Sequence, residues 1–275
     1  MTKQCLLAEP WTLDPNVVPI PWRQEIYDQI QQRPLTIGVI LDDGVVRPHP
    51  EVQAAVQRAV ALFEKAGHKV IPWSTEEHMG CIEIQDQFYR ADGGEDINRE
   101  VAVAGEPLIA HVEALVKSSK AISVYEYWQL NRQKTAAQEA YNQKWKTDDE
   151  TCVDIIISPV SPHTAVPHRS SRWTGYSKIW NFMDYTAMSF PFAKFGPPKS
   201  GDSSRIYATA TEDERQSYLD HTPRNAIDEW IHGLYDPQAM QGLDIGVQII
   251  GRRYEEEKVL GVAALLEGLL SEASN

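Results

Sequence analysis

The sequence predicts an α/β protein: a mixed β-sheet with helices packed on both faces. Three observations carry the prediction. Short apolar, β-branched runs stand at residues 35–41, 69–73, 154–158 and 244–251, each of a length suited to a buried strand. Stretches with helical spacing of apolar residues separate them, which is the alternation of a layered fold. The first two runs also flank one helical stretch through short connections. That is a βαβ unit, so a parallel pair with a right-handed crossover.

Each element follows from local chemistry. Residues 1–34 are rich in proline and aromatic side chains, and Pro15, Pro19 and Pro21 oppose a continuous helix before Trp22. This part is expected to be an arm laid over a body formed by residues 35–275. The strand at 35–41 ends in the turn chemistry of Asp42-Asp43-Gly44. Pro50 suits the first turn of the next helix and Gly67 its C-terminal cap. Val52, Val56, Ala59, Leu62, Phe63 and Ala66 give that helix one apolar face. After the strand at 69–73, residues 75–146 read as mainly helical, broken at 92–95 and again at 105–107. The longest helix is expected over 125–146, with Trp128, Leu130, Tyr141 and Trp145 among its large apolar residues. Pro159 and Pro162 stop the strand at 154–158. A helix is expected over 176–188, a loop over 194–204 and a polar helix over 212–231. The strand at 244–251 leads into a last helix at 255–270, whose apolar positions are Val259, Leu260, Val262, Ala263, Leu266 and Leu269. The acidic run Glu255-Glu256-Glu257 suits the positive end of that helix dipole.

Composition narrows the function classes. The 275 residues carry a formal net charge of −13. That charge argues against sequence-independent binding of nucleic acid or of an anionic membrane surface, which need a basic footprint. No apolar run approaches the roughly 18 residues of a membrane span. The first ten residues hold one lysine and too short an apolar stretch for a secretory signal. Three widely spaced cysteines, Cys5, Cys81 and Cys152, fit a reducing cytosol better than a disulfide framework and lack zinc spacing. A cytoplasmic protein without a cofactor is the expectation.

Several local patterns invite a catalytic reading. Lys117-Ser118-Ser119-Lys120 sets the residue types of a Ser/Lys hydrolase side by side, but neighbouring residues on a helix or turn point in different directions. A solvated polar stretch is expected there. Gly201-Asp202-Ser203-Ser204 lacks the strand and tight turn of a nucleophile elbow and reads as a loop. His163 and His168 flank Thr164-Ala165-Val166-Pro167 without a third ligand or supporting carboxylate, so they read as structural and not as metal ligands. Asp42-Asp43 reads as a strand-end turn. Gly93-Gly94, set among acidic residues with no serine beside it, cannot serve as a Gly/Ser nucleophile loop.

Taken in order, residues 35–50, 67–73, 153–163, 180–187 and 246–253 resemble the C-terminal half of the amidase-signature hydrolases. The likeness is greatest to the fungal acetamidase-like branch and extends more distantly to fatty-acid amide hydrolase, over roughly residues 10–270. The resemblance implies the C-terminal half of an amidase-signature fold and an ancestral hydrolysis of a small carboxamide without a cofactor. It also suggests a fungal source and a place in secondary metabolism. In that family a serine in a Gly/Ser-rich loop attacks, a second serine relays the proton, and a neutral lysine is the base. All three precede the segments matched here. The family match further implies that Trp180, Met183 and Phe190 are pocket-wall candidates, on the specific segment Trp180-Asn181-Phe182-Met183-Asp184-Tyr185, with His163 lining the same cavity. Simple core packing is the competing reading for these residues. Thr186 departs from the family, which usually has proline there, and so opens the chain path between Tyr185 and Pro191 to question.

Three readings of function follow. The chain is an amidase relative without activity of its own. Alternatively it is an amidase shortened in its gene model, or completed by another chain that supplies an amidase N-terminal half. Or it is a non-catalytic module that binds a small molecule or a partner. Loss of the first half is also expected to bare a sheet edge around residues 35–41 and 154–158, and part of the helix face at 259–269, favouring homo-oligomers. The histidine reading has a direct check: elemental analysis of the purified chain should find no stoichiometric zinc, and His163→Ala and His168→Ala should leave metal content unchanged.

Overall fold

A computed structural model describes residues 1–146, 152–198 and 206–273. The N-terminal arm holds α1 (Thr2–Leu7), a 3-10 turn at Pro10–Thr12, and α2 (Gln24–Ile30). Next come β1 (Thr36–Val39), α3 (Pro50–Lys65) and β2 (Lys69–Pro72). Four helices follow: α4 (His78–Arg90), α5 (Glu95–Ala104), α6 (Ala110–Ser118) and α7 (Val124–Gln143). The chain continues through β3 (Ile155–Pro159), α8 (Gly175–Met183), β4 (Ala187–Phe195) and β5 (Tyr207–Ala208). It closes with α9 (Glu212–Leu219), α10 (Ala226–His232), α11 (Pro237–Met240), β6 (Asp244–Ile250) and α12 (Glu256–Ala273).

The strands form one mixed sheet in the order β2-β1-β3-β6-β4-β5. β1 runs parallel to both β2 and β3, while β6 is antiparallel to β3 and β4. The βαβ unit is as expected, with Pro50 at the start of α3 and Gly67 just past its end at φ +89°. The expected bare edge is overturned. β1 and β3 are interior strands with partners on both sides, and the edge positions belong to β2 and β5. A parallel crossover places β1 inside β2, and the late strand β6 returns to cover the other side of β3.

Two further expectations need correction. The helix expected over 176–188 stops at Met183, because Asp184 caps it in the left-handed conformation at φ +56°. The chain then becomes β4, a strand hidden in the sequence by Pro191, where the pairing with β6 slips in a bulge. Thr186 sits at this switch, its carbonyl accepting from Gly251 N–H at 2.9 Å. The polar helix over 212–231 is two helices, each with its own cap: Thr211 in a capping box for α9, and Asn225 for α10.

Cores lie on both faces of the sheet. Ile155 and Ile157 of β3 point into one, which α3 and α12 close through Val52, Val56, Phe63, Val259, Val262 and Leu266. The α12 face expected to be bare is therefore covered, by α3 and by the arm helix α2. Gly261 permits that approach: a Cβ there would meet Ile30 Cγ2 at 2.4 Å and the Tyr27 carbonyl at 2.8 Å. Arg23, just before α2, pairs with Glu257 at 2.6 Å and also donates to the Tyr254 carbonyl. Glu257 is buried, so it fastens the arm as well as suiting the helix dipole.

Ile156 points the other way, into an aromatic core built by α4, α7 and α8. Of the large apolar residues in the long helical stretch, Leu130, Tyr141 and Trp145 are buried and Trp128 is exposed. The Tyr141 hydroxyl accepts from Trp73 Nε1 at 2.8 Å and shares a hydrogen bond with His78 Nε2, also at 2.8 Å. Burial lowers the His78 pKa to about 4 and that of His49, on the other side of the fold, to about 3. Both must be neutral in the folded chain, whereas the unfolded chain protonates them near 6.5. The unfolded state thus binds more protons below pH 6.5, and stability is complete above that value and declines as pH falls. Urea denaturation between pH 7.5 and 4.5 should record this decline, on the order of 2–3 kcal/mol for each histidine. His78→Gln should show a visibly shallower slope.

Candidate functional site

The sheet itself builds a concave, largely apolar site beside a buried histidine. β3 ends at Pro159, and the chain leaves the sheet through Val160, Ser161, Pro162 and His163. Opposite, β6 begins at Asp244, and β4 runs alongside with Phe190 facing Val247 and Pro191 facing Gly246. Between them lies a cavity of about 270 Å³, lined by Val52, Val160, Ser161, His163, Thr164, Ser189, Phe190, Pro191, Asp244, Ile245 and Gly246. Gly246 keeps it open, since a Cβ there would press on Val160 Cγ2 at 3.2 Å. Its place beyond the C-terminal end of a central strand is where open α/β sheets commonly bind ligands.

Hydrogen bonds hold the wall. The His49 N–H donates to the Pro162 carbonyl at 2.7 Å, joining the start of α3 to the segment after β3. The Gln248 side-chain amide, buried in β6, donates to the Pro159 carbonyl at 2.7 Å and to the Tyr176 carbonyl at 3.0 Å. His163 is buried, and its Nδ1 faces the Thr164 carbonyl at 2.7 Å. Burial lowers its pKa.

The four wall candidates divide between two places. His163 and Phe190 share the cavity. Trp180 and Met183 belong to the aromatic core across the sheet, where Trp180 lies edge-on to His78 and stacked on Tyr185. Met183 also borders a separate polar groove of about 500 Å³ with Gln138, Asp184 and Arg253. Val52, Ser189 and Gly246 were missed as wall residues. Val52 and Gly246 sit in elements that were read correctly, yet nothing in one-dimensional spacing says which end of a strand opens into a cavity. Ser189 was hidden with β4.

Among the described residues, chemical groups for acyl transfer do not converge. Among the described residues, Ser161 and Ser189 share no hydrogen bond with a histidine or lysine. Ser118 and Ser119 both donate to the Leu115 carbonyl, at 2.9 and 2.8 Å, at the end of α6, while Lys117 pairs with Glu113. Gly93 and Gly94 are left-handed residues leading into α5. Asp43 is a turn residue, accepting from the Val45 and Val46 N–H groups and from Trp173 Nε1. His168 is exposed, and no group of three metal-binding side chains occurs among the described residues. The segment Gly201-Asp202-Ser203-Ser204 lies outside the described residues. No described helix is long and apolar enough to cross a membrane.

Comparisons with known proteins fit this geometry. The family model "Amidase" matches residues 4–260. "Amidase 1" of Gibberella moniliformis is 44% identical over 272 residues, covering 98% of this chain and 50% of the relative. "Acetamidase" of Emericella nidulans is 34% identical over 279 residues, covering 98% of this chain and 48% of the relative. The chain therefore spans about half the length of the curated relatives it matches. Among solved structures, a fatty acid amide hydrolase superposes with a TM-score of 0.79 at 24% identity, over 96% of this chain and 44% of its own. That likeness shows the fold.

The wall is testable apart from any activity. Gln248→Leu should remove the two hydrogen bonds that tie the Pro159 carbonyl to the Tyr176 carbonyl, leaving Pro159 with the Ser158 hydroxyl at 3.1 Å. The expected loss is about 1–3 kcal/mol in urea denaturation, because each of the two hydrogen bonds contributes roughly 0.5–1.5 kcal/mol.

Proposed function

The chain belongs to the amidase family, and on that premise we propose that it forms the substrate-holding half of a carboxamide hydrolase, without hydrolytic activity of its own. The observation that carries this reading is the His163–Phe190 cavity: a shaped, partly apolar wall beside serines that have no base. Holding and reacting are separate tasks in acyl transfer. The wall orients the amide, while a nucleophile, a base and oxyanion donors must converge on its carbonyl carbon. The chain supplies material for the first task. The second belongs to an amidase N-terminal half, carried by the same polypeptide or by another chain.

The cavity favours a small substrate. At about 270 Å³ it falls just below the ~300–1,000 Å³ typical of small-molecule sites. Phe190, Val52 and Ile245 suit a short acyl or alkyl group. Neutral His163 and the hydroxyls of Ser161, Thr164 and Ser189 suit an amide's polar end. No cofactor is required: an activated hydroxyl attacks the amide carbon to form an ester, the departing amine takes up the hydroxyl's proton, and water then cleaves the ester to release the acid and restore the hydroxyl. Trp180 and Met183 support the wall from behind the sheet. A non-catalytic binding module remains the second reading, favoured by the same cavity.

Purified chain should not hydrolyse acetamide or a p-nitroanilide above background. Co-expression with an amidase N-terminal half should restore turnover, and Phe190→Ala in that assembly should raise KM more than it lowers kcat. Hydrolysis by the chain alone, lost in Ser118→Ala or Ser203→Ala, would falsify the proposal. Tight binding of a small amide without any restored turnover would favour the binding module.

A further inference from the structure

Behind the cavity wall lies a buried cluster of rings whose hydrogen bonding does not close. The His49 ring packs against His163 with centroids 6.1 Å apart, against Tyr218 at 5.6 Å, and against Tyr235 at 5.1 Å. The Tyr235 hydroxyl donates to Glu51, which also accepts from Arg215. Three other polar atoms of the cluster, His49 Nδ1, His163 Nε2 and the Tyr218 hydroxyl, are buried without a protein partner. Only two more such side-chain atoms occur among the described residues, Arg23 Nε and Trp180 Nε1, and neither is in this cluster.

The tautomers make the pattern specific. His49 Nε2 lies 3.1 Å from the Ile231 carbonyl, and His163 Nδ1 lies 2.7 Å from the Thr164 carbonyl. A carbonyl cannot donate, so each of these nitrogens carries the ring hydrogen. Burial keeps both rings neutral. The orphaned nitrogens are therefore both acceptors, and two acceptors cannot bond to one another. Tyr218 offers one hydrogen, enough for one of them. A third party must bring the rest, since buried polar groups are rarely left unpaired.

We propose that His49 Nδ1, His163 Nε2 and the Tyr218 hydroxyl bind one buried, water-sized neutral molecule. It donates to both imidazoles and accepts from the phenol. Water has the required two hydrogens and a free lone pair. Ammonia, with three hydrogens and one lone pair, also meets the requirement, and would be supplied next door if the hydrolase reading of the cavity holds. Through this molecule the His163 ring is positioned at the cavity wall by α3 and α9. The site itself rests on the ring cluster and stands whether or not the cavity holds an amide.

Histidine 15N resonances of the full 275-residue chain test the site directly. His49 Nδ1 and His163 Nε2 should both appear as acceptors that receive a hydrogen bond. Tyr218→Phe, which preserves the ring packing, should move both resonances and lower Tm by roughly 2–8 °C. Replacing sodium chloride with ammonium chloride at pH 9.5 then separates the sources: a shift of the two resonances identifies ammonia, and no shift identifies water. Both nitrogens at the free-acceptor position in the unaltered chain would overturn the proposal. So would a Tyr218→Phe variant that leaves both resonances unmoved, with Tm unchanged or raised by relief of an unsatisfied hydroxyl.

Discussion

The buried amide of Gln248 is the interaction on which the rest of this fold depends. β3 is buried along its whole length and ends in a proline. A proline brings no N–H, and its carbonyl at the end of a buried strand still needs a donor. The Ser158 hydroxyl donates to it at 3.1 Å, and Gln248 adds a shorter bond at 2.7 Å from the neighbouring antiparallel strand and with its second hydrogen bond ties α8 to the same point. Because Gln248 stands opposite Ser158, this contact agrees with the β3–β6 register and with no register shifted by one. The register in turn sets Gly246 and Pro191 at the mouth of the cavity.

Carboxylates perform a similar task for the loop between β1 and α3. Asp43 holds the turn through three donors, and Asp228 accepts from the Arg47 and Arg224 N–H groups and from His221. Arg224 closes the loop with two 2.7 Å hydrogen bonds to Asp42. Desolvation raises the Asp43 pKa, whereas the several donors around Asp228 outweigh its burial and lower it. This loop carries His49, so a surface-to-core chain of polar contacts ends beside the cavity wall. The same feature helps a chain of net charge −13 keep carboxylates inside: Asp43, Asp154, Asp228 and Glu257 each accept from backbone N–H groups, and Glu51 accepts from Arg215 and Tyr235.

The division of labour proposed for the protein has a physical logic. Substrate walls are made by the sides and ends of strands, which a half-sheet can furnish. A nucleophile, base and oxyanion donors must meet within hydrogen-bond reach, and such a meeting requires loops contributed from separate parts of a fold. Here the wall is present and the arm is clamped by Arg23–Glu257. The sheet buries its central strands, and its edge strands β2 and β5 are the places where added strands could pair.

Much of the fold was legible in the sequence because it rests on local rules. The βαβ unit followed from apolar runs flanking a helix with Pro50 and Gly67 at its ends, and α12 from its apolar spacing. β4 was not legible, since Pro191 and a polar–apolar mixture mask a strand that exists only because β6 pairs with it. The same limit applies to the site. Sequence by itself determined the α/β class and the family likeness. The tertiary structure alone decided that His163 and Phe190 share a cavity while Trp180 and Met183 face the opposite core. It also brought His49, His163 and Tyr218 together across more than 160 positions of sequence. The reason is that periodicity records which face of an element is apolar, whereas sheet order and register decide which faces meet.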